Sequence, residues 1–298
     1  MSQYAVSKEN LIYSFDAHMN PILTVPSGSS LTFHTVDALG GQIKQDADTV
    51  DALDFSKVNP ATGPVAVEGA EPGGALRIDI LDIETDSYGV ILAVPGLGVL
   101  GNAVQFPGTK VVPVGGDRVF FDSFSLKKQP MIGVIGTAPA SGSIACGTPG
   151  DHGGNMDTRD IRAGHSLYLP VFQPGGQLAM GDVHAAMGDG EVCGTGVECG
   201  AKIHCSVHHI PSFPIRRPLL VTPTEIQIIA SAETVEAAAK LAVEDLVEHL
   251  VLTHALAFND AYMLASLAAD VRISQLVDPL LTVRACLDRR YLDSGTSI

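Results

Sequence analysis

Ala75-Leu76-Arg77-Ile78-Asp79-Ile80-Leu81-Asp82-Ile83 alternates apolar and polar residues with a period of two. Leu76, Ile78, Ile80 and Asp82 fall on one face of an extended chain. A second run of this kind, Gln129-Pro130-Met131-Ile132-Gly133-Val134-Ile135-Gly136, lies downstream. Residues 1 to about 230 read the same way, as short β-branched runs separated by Gly and Pro at close spacing. The 31 glycines and 18 prolines of the 298-residue chain suit many tight turns. The pattern predicts a mainly β fold with a sandwich- or barrel-like body.

The period changes beyond residue 220. Residues 221–229 read as a strand. Residues 234–250 read as a helix, with Val235, Ala239, Ala242, Leu246 and Leu250 at helical spacing and Ser231 or Thr234 placed to cap its start. A second helix is expected from Asn259, as N-cap, to about Asp270, and a strand over residues 271–277. The expected organisation is a β-rich body over residues 1–220 carrying the site, and a smaller α+β subdomain over 221–298, separate or integrated with the body.

Composition narrows the function. A net charge of -15 with no basic stripe argues against nucleic acid and anionic membrane surfaces as partners. No apolar run is long enough to cross a bilayer; Val90-Ile91-Leu92-Ala93-Val94 ends at Pro95-Gly96. The opening MSQYAVSKENLIYSF has neither a basic nor an apolar segment, so a cytoplasmic protein is expected. Five cysteines, an odd number, fit a reducing compartment. Strand alternation over residues 197–207 groups Cys199, Ile203 and Cys205 as small apolar residues and turns Glu198, Lys202, His204 and His208 the other way.

The chemistry concentrates in Gly181-Asp182-Val183-His184-Ala185-Ala186-Met187-Gly188-Asp189-Gly190-Glu191. A packed core has little use for such a run, since every charge must be desolvated and then paired. In a strand, positions i and i+2 point the same way, so Asp182 and His184 reach one metal. Asp189 and Glu191 repeat that relation after a glycine turn; alternatively, Gly-Asp-Gly is a β-turn with solvated acids. The spacing is not that of an EF-hand loop. Upstream, Asp151-His152-Gly153-Gly154-Asn155-Met156-Asp157 forms a second polar cluster; Asp157 reads equally as a ligand or a local cap, and His152 as a turn histidine or a site residue. Glu198, on the polar face of its strand, ranks above Lys202 and His204 as a base or ligand. Asp37, before Gly40-Gly41-Gln42, is a site acid or a turn acid; Glu68 is weaker, and His208-His209 point to opposite faces.

Several of these segments resemble the acetamidase/formamidase family, in one order along nearly the whole chain. They are Asn59–Pro60–Ala61–Thr62–Gly63–Pro64 with Val67–Glu68–Gly69–Ala70–Glu71–Pro72–Gly73, then Gly133–Val134–Ile135–Gly136–Thr137–Ala138–Pro139, Gly153–Gly154–Asn155–Met156–Asp157, Leu167–Tyr168–Leu169–Pro170–Val171, the run around His184, and Asp270–Val271–Arg272–Ile273–Ser274–Gln275. The resemblance implies a β-sandwich-like body with an α/β portion and hydrolysis of short linear amides to carboxylate and ammonia. It implies a divalent metal, zinc with calcium or manganese as alternatives, held by Asp182, His184, Asp157, Asp189 and Asp37. Glu198, Glu191 and His184 are then the catalytic candidates, and Asn155, His152 and Met187 the substrate-binding ones. Two positions depart from the family pattern: Met187 stands where glutamine is usual, and Gly74 where an acid is usual.

Two other readings compete. One is thiol catalysis by Cys199, Glu198 and Lys202, which strand alternation opposes. The other is a catalytically silent sandwich that binds a small ligand or divalent cation. A homodimer or homotetramer is expected for a cytoplasmic enzyme of this size.

Overall fold

The computed structural model describes residues 3–213 and 215–292. Two large sheets carry most of the chain, as the mainly β expectation requires. The first has nine strands in the order Gln3–Val6, Ser29–Thr35, Ala201–Ile210, Ala75–Thr85, Ser166–Pro170, Leu219–Val221, Glu225–Ala232, Leu281–Asp288 and Ala269–Gln275. The second has eleven, and its centre bears on the site. There Leu178–His184 lies between Met131–Gly136 on one side and, on the other, Ala61–Val67 followed by Glu198–Cys199. Both sheets contribute to one apolar core, with Phe33, Ile78 and Leu167 from the first against Val65, Ile132 and Met180 from the second.

Ala75–Thr85 keeps its alternation only part of the way. Leu76, Ile78 and Ile80 are buried, but Asp82 does not continue that face. Opposite it, His204 pairs with Asp82 and Cys205 with Ile80, leaving Leu81 bulged and 57% exposed. The extra residue shifts the phase by one and brings Ile83 into the core.

The C-terminal helices are α1, Val235–His254, and α2, Phe258–Ala268. Thr234 caps α1, its side chain accepting from the Ala237 N–H. The buried stripe is Ala238, Ala242, Leu246, Val247 and Leu250, so Val235 and Ala239 lie at its margin. The helix outruns its expected end by four residues, to a left-handed Ala255. α2 starts one residue early, with no side-chain cap from Asn259. Both helices pack on Ile226, Ile228, Ala285 and Leu287, a second apolar cluster. Their sheet is nonetheless continuous with that of the body, because Leu219–Val221 pairs with both Ser166–Pro170 and Glu225–Ala232. No helix among the described residues is long and apolar enough to cross a membrane.

Candidate metal centre

The strand Leu178–His184 changes partner at Asp182. Gly181 faces Ala61 of one neighbour and Val183 faces Cys199 of the next. On its other edge the register runs Val134–Gly181 and then Ile132–Val183, with Gly133 opposite Asp182. Freed from the ladder, Asp182 takes a left-handed φ of 52°. Asp157 and Glu191 also have positive φ, 40° and 45°. Such backbone costs of order 1–3 kcal/mol per residue and clusters at functional sites.

The three strained carboxylates converge on one imidazole. His184 Nε2 lies 3.2 Å from Asp182 Oδ1, 3.8 Å from Asp157 Oδ1, 3.9 Å from Glu191 Oε1 and 3.1 Å from Glu198 Oε2. Asp157, Asp182, His184, Glu191 and Glu198 are all buried, none more than 6% exposed. Two sets, Asp157–His184–Glu191 and Asp182–His184–Glu198, each bring three donor atoms within 4.8 Å of one another. The expectation that i and i+2 reach one point thus applies to Asp182 and His184, although through a break in the pleat.

Gly133 makes this approach possible. A Cβ there would stand 2.6 Å from Asp182 Oδ2 and closer still to Asp157 Oδ1. The Met156 and Asp157 N–H groups both donate to the Gly133 carbonyl, which fixes the loop bearing Asp157. Gly196 has a similar role, since a Cβ would lie 2.6 Å from His184 Nδ1. Its N–H donates to Glu198 Oε1 at 2.7 Å, leaving Oε2 without a hydrogen-bond partner. Both oxygens of Asp157 are likewise buried and unpartnered.

A fifth carboxylate, missed in the sequence, comes from the turn between the last two strands. Asp278 Oδ2 accepts from Asn155 Nδ2 at 2.9 Å, and the Gln275 side chain accepts from the Val277 and Asp278 N–H groups to shape the turn. The expected strand over 271–277 ends at Gln275, which leaves Asp278 free to enter the site. Its only sequence signal was an Asp-Pro step, which marks any turn.

Electrostatics follow from burial. Burial, then the charge of Asp182, raises the Asp157 carboxyl to about 7. Burial raises Glu198 to about 8, against the pull of His184. Burial and neighbouring acids hold Glu191 and Asp278 well above the carboxylate range. Burial acts against ionised Asp182 too, but His184 outweighs it and holds Asp182 low. Burial opposes the imidazolium of His184, yet Glu198 and Asp182 lift it well above its ordinary value. Among the described residues, no Lys or Arg lines the cavity above these groups. Four acids around one imidazole, with Asp278 beside Asp157, form a donor set that a divalent cation fits.

The remaining candidates divide between the cavity and positions away from it. Asp189 turns away from the cluster, because Arg284 Nη2 donates to both of its oxygens at 2.8 Å. The Gly188 turn therefore delivers Glu191 without Asp189. Asp37 accepts from the Leu39 and Gly41 N–H groups, the turn-acid arrangement. Asn155 lines the cavity, with Oδ1 unpartnered. Met187 touches the cluster from behind, its Sδ 3.2 Å from His184 Nδ1. His152 is buried edge-on against Phe15 and does not line the cavity; desolvation lowers it to about 4. Cys199 donates its thiol to the Val183 carbonyl, and burial pushes its pKa far up. Lys202 pairs with Glu84 at 3.5 Å on the surface, so the Cys199–Glu198–Lys202 trio does not assemble.

Known proteins share this architecture. The fold superposes on an acetamidase from Bacillus halodurans with a TM-score of 0.96 at 44% identity, covering 98% of this chain and 100% of that one. An acetamidase from Yersinia enterocolitica gives 0.93 at 31% identity, over 98% of this chain and 93% of the other. A formamidase from Methylophilus methylotrophus is 26% identical over 276 residues, spanning 68% of this chain and 67% of that protein. The model of the acetamidase/formamidase family matches residues 3–145 and 140–286. With site-bearing segments from Asp157 to Asp278 inside those matches, the chain belongs to the acetamidase/formamidase family.

Proposed function

We propose that the protein hydrolyses linear carboxamides to carboxylate and ammonia with a metal-activated water. The observation that carries this reading is the unpartnered, buried Asp157 carboxylate beside Asp182 and His184. Asp157, Asp182 and His184 would hold the cation, with zinc the leading choice and manganese and calcium the alternatives for a donor set rich in carboxylate. A cation held there lowers the pKa of a water and polarises a carbonyl oxygen.

The chain's own groups do the rest. Glu198 is anchored through Oε1 by the Gly196 N–H, and its Oε2, 3.1 Å from His184 Nε2, is the atom that would carry the proton. Burial raises its proton affinity, which suits a group that takes a proton and returns it to the leaving amine. Glu191, 3.9 Å from His184, is the second proton carrier. Asn155 Oδ1 accepts from the carboxamide N–H₂ and orients it.

The test is ammonia release from formamide, acetamide and propionamide by protein stripped with chelator, then resupplied with Zn²⁺, Mn²⁺ or Ca²⁺. Activity lost and restored by one metal supports the reading; activity indifferent to stripping sinks the metal-water mechanism. The second reading, a silent cation-binding sandwich, draws on the weak Met187 sulfur beside His184 and predicts metal uptake without turnover. Exposed Phe258, Tyr262, Met263 and Leu267 on α2 support a homodimer or homotetramer, which light scattering would size.

A further inference from the structure

The cavity above the carboxylates has two chemically different ends. Asn155, Asp182, Glu191, Glu198 and Asp278 form its floor. Leu39, Val50, Leu53, Leu92, Val94 and Leu97 form its wall. Its volume is about 340 Å³. One water's share of liquid is roughly 30 Å³, so acetamide, with four heavy atoms, displaces at most about 120 Å³. More than half of the space, and most of the apolar wall, stays beyond its reach.

The wall is built in advance. Leu39, Val50 and Leu92 are each 5% exposed or less and pack with Ile43 and Val90 as a separate apolar cluster, with Leu53 and Val94 against it. It is also in register with the chemistry. Val90 pairs with Glu198, and the Leu92 N–H donates to Thr195 Oγ1 at 3.0 Å. From the other side, the Asp37 carboxylate holds the Leu39 N–H at 2.9 Å, and the Asn59 N–H donates to the Ala38 carbonyl at 2.6 Å. Asp37 thus supports the wall through Oδ1.

We infer that the site takes a primary carboxamide with an unbranched apolar acyl chain of about four to six carbons, its tail on the Leu39–Leu92–Leu53 wall and its amide on the carboxylate floor. Hexanamide, at eight heavy atoms and about 240 Å³, fits the volume with its reacting carbon still at the floor. The inference rests on the amide-hydrolase reading. Each added methylene leaves water for the wall, which raises kcat/KM about four-fold per carbon.

The test is kcat/KM for the straight-chain series from formamide to octanamide with the metal-loaded full chain. A rise of about four-fold per methylene to C5 or C6, then a plateau or fall, supports the inference. A flat or falling series from acetamide onward overturns it while amide hydrolysis itself stands. If no amide is turned over, the hydrolase reading fails, and calorimetry decides the pocket separately: tighter binding of hexanamide than acetamide supports the wall assignment, and equal binding overturns it. Leu53→Trp fills the wall and should flatten the chain-length slope, whereas Leu53→Ala should move the optimum to a longer chain. A slope unchanged in both folded variants also overturns the inference.

Discussion

Asp182 and His184 meet at 3.2 Å, Oδ1 to Nε2, even though the Asp182 φ of 52° interrupts the strand that bears them both. The interruption sits where Leu178–His184 exchanges Ala61–Val67 for Glu198–Cys199 as its neighbour. One break in pairing therefore frees the Asp182 backbone and brings Glu198 to the same nitrogen, 3.1 Å away.

Gly133 is a position at which this junction leaves no room for a side chain. Gly133→Ala would press a methyl group onto Asp157 and Asp182 together. The variant should retain less than about one tenth of wild-type metal affinity, as loss of ligand orientation gives, and lose about 1–3 kcal/mol of stability. Chelator competition and urea denaturation would measure the two; undiminished metal binding in G133A would show that the carboxylates do not act as a pair.

Cation uptake should release protons. Near pH 7 the metal-free site holds protons on Glu198, at about 8, on part of Asp157, at about 7, and on His184, raised well above its ordinary value. Ligands must be deprotonated to bind, so metal affinity rises with pH between 6 and 8. Calorimetry in buffers of different ionisation heat should give more than one proton released per metal at pH 7. No release would mean that the cation binds elsewhere.

The strand period, the turn density and the switch to helical period near residue 234 were all legible, because each depends on neighbours within a few positions. Asp182, His184, Asp157, Glu191 and Glu198 were also legible as chemistry-bearing residues. What the chain could not reveal was set by distant partners. Asp189 and Glu191 look equivalent in the sequence, and it is Arg284, 95 residues away, that draws Asp189 aside. Asp278 was indistinguishable from a turn acid until the hairpin folded over Asn155. The Leu81 bulge, likewise, is visible only against its partner strand.

Met187 gives His184 Nδ1 a thioether at 3.2 Å where an oxygen would be a stronger acceptor. A metal-ligating histidine usually donates its second N–H to oxygen, and such partners change metal affinity 10- to 100-fold. Met187→Gln should therefore raise metal affinity, by about ten-fold if the amide oxygen takes the place of the sulfur. Unchanged affinity in a folded M187Q protein would mean that the ring is already fixed by packing alone.

His152 should contribute acid sensitivity apart from the metal. Desolvation lowers it to about 4 from an ordinary 6.5, and neither ring nitrogen has a hydrogen-bond partner. The unfolded chain thus binds the proton first as pH falls below 6.5. The stabilising difference is complete above that pH and is lost towards pH 4, about 3 kcal/mol over the window. Denaturation midpoints for wild type and His152→Leu at pH 7 and pH 4.5 should differ in slope, with the variant less sensitive; parallel losses would assign the acid sensitivity to other groups.

Arg284 is almost wholly buried and ties two loops to a strand. Its Nη2 holds Asp189, two residues before Glu191, and its Nη1 donates to Ser274 Oγ at 3.0 Å and to the Ile273 carbonyl at 3.2 Å. Ser274 Oγ in turn accepts from Thr158 Oγ1, next to Asp157, and the Ser274 carbonyl accepts from the Gly190 N–H. Asp157, Glu191 and the strand leading to Asp278 are therefore fastened through one guanidinium. Removing one partner of a buried pair costs about 3–5 kcal/mol, and the partial exposure of Asp189 puts Arg284→Met towards the lower end. The bracing argument makes a further demand: metal affinity should fall about ten-fold even where R284M is fully folded, while Asp189→Asn, which keeps one acceptor, should fall less. A folded R284M protein that binds metal as wild type does would reduce Arg284 to a contributor to stability alone.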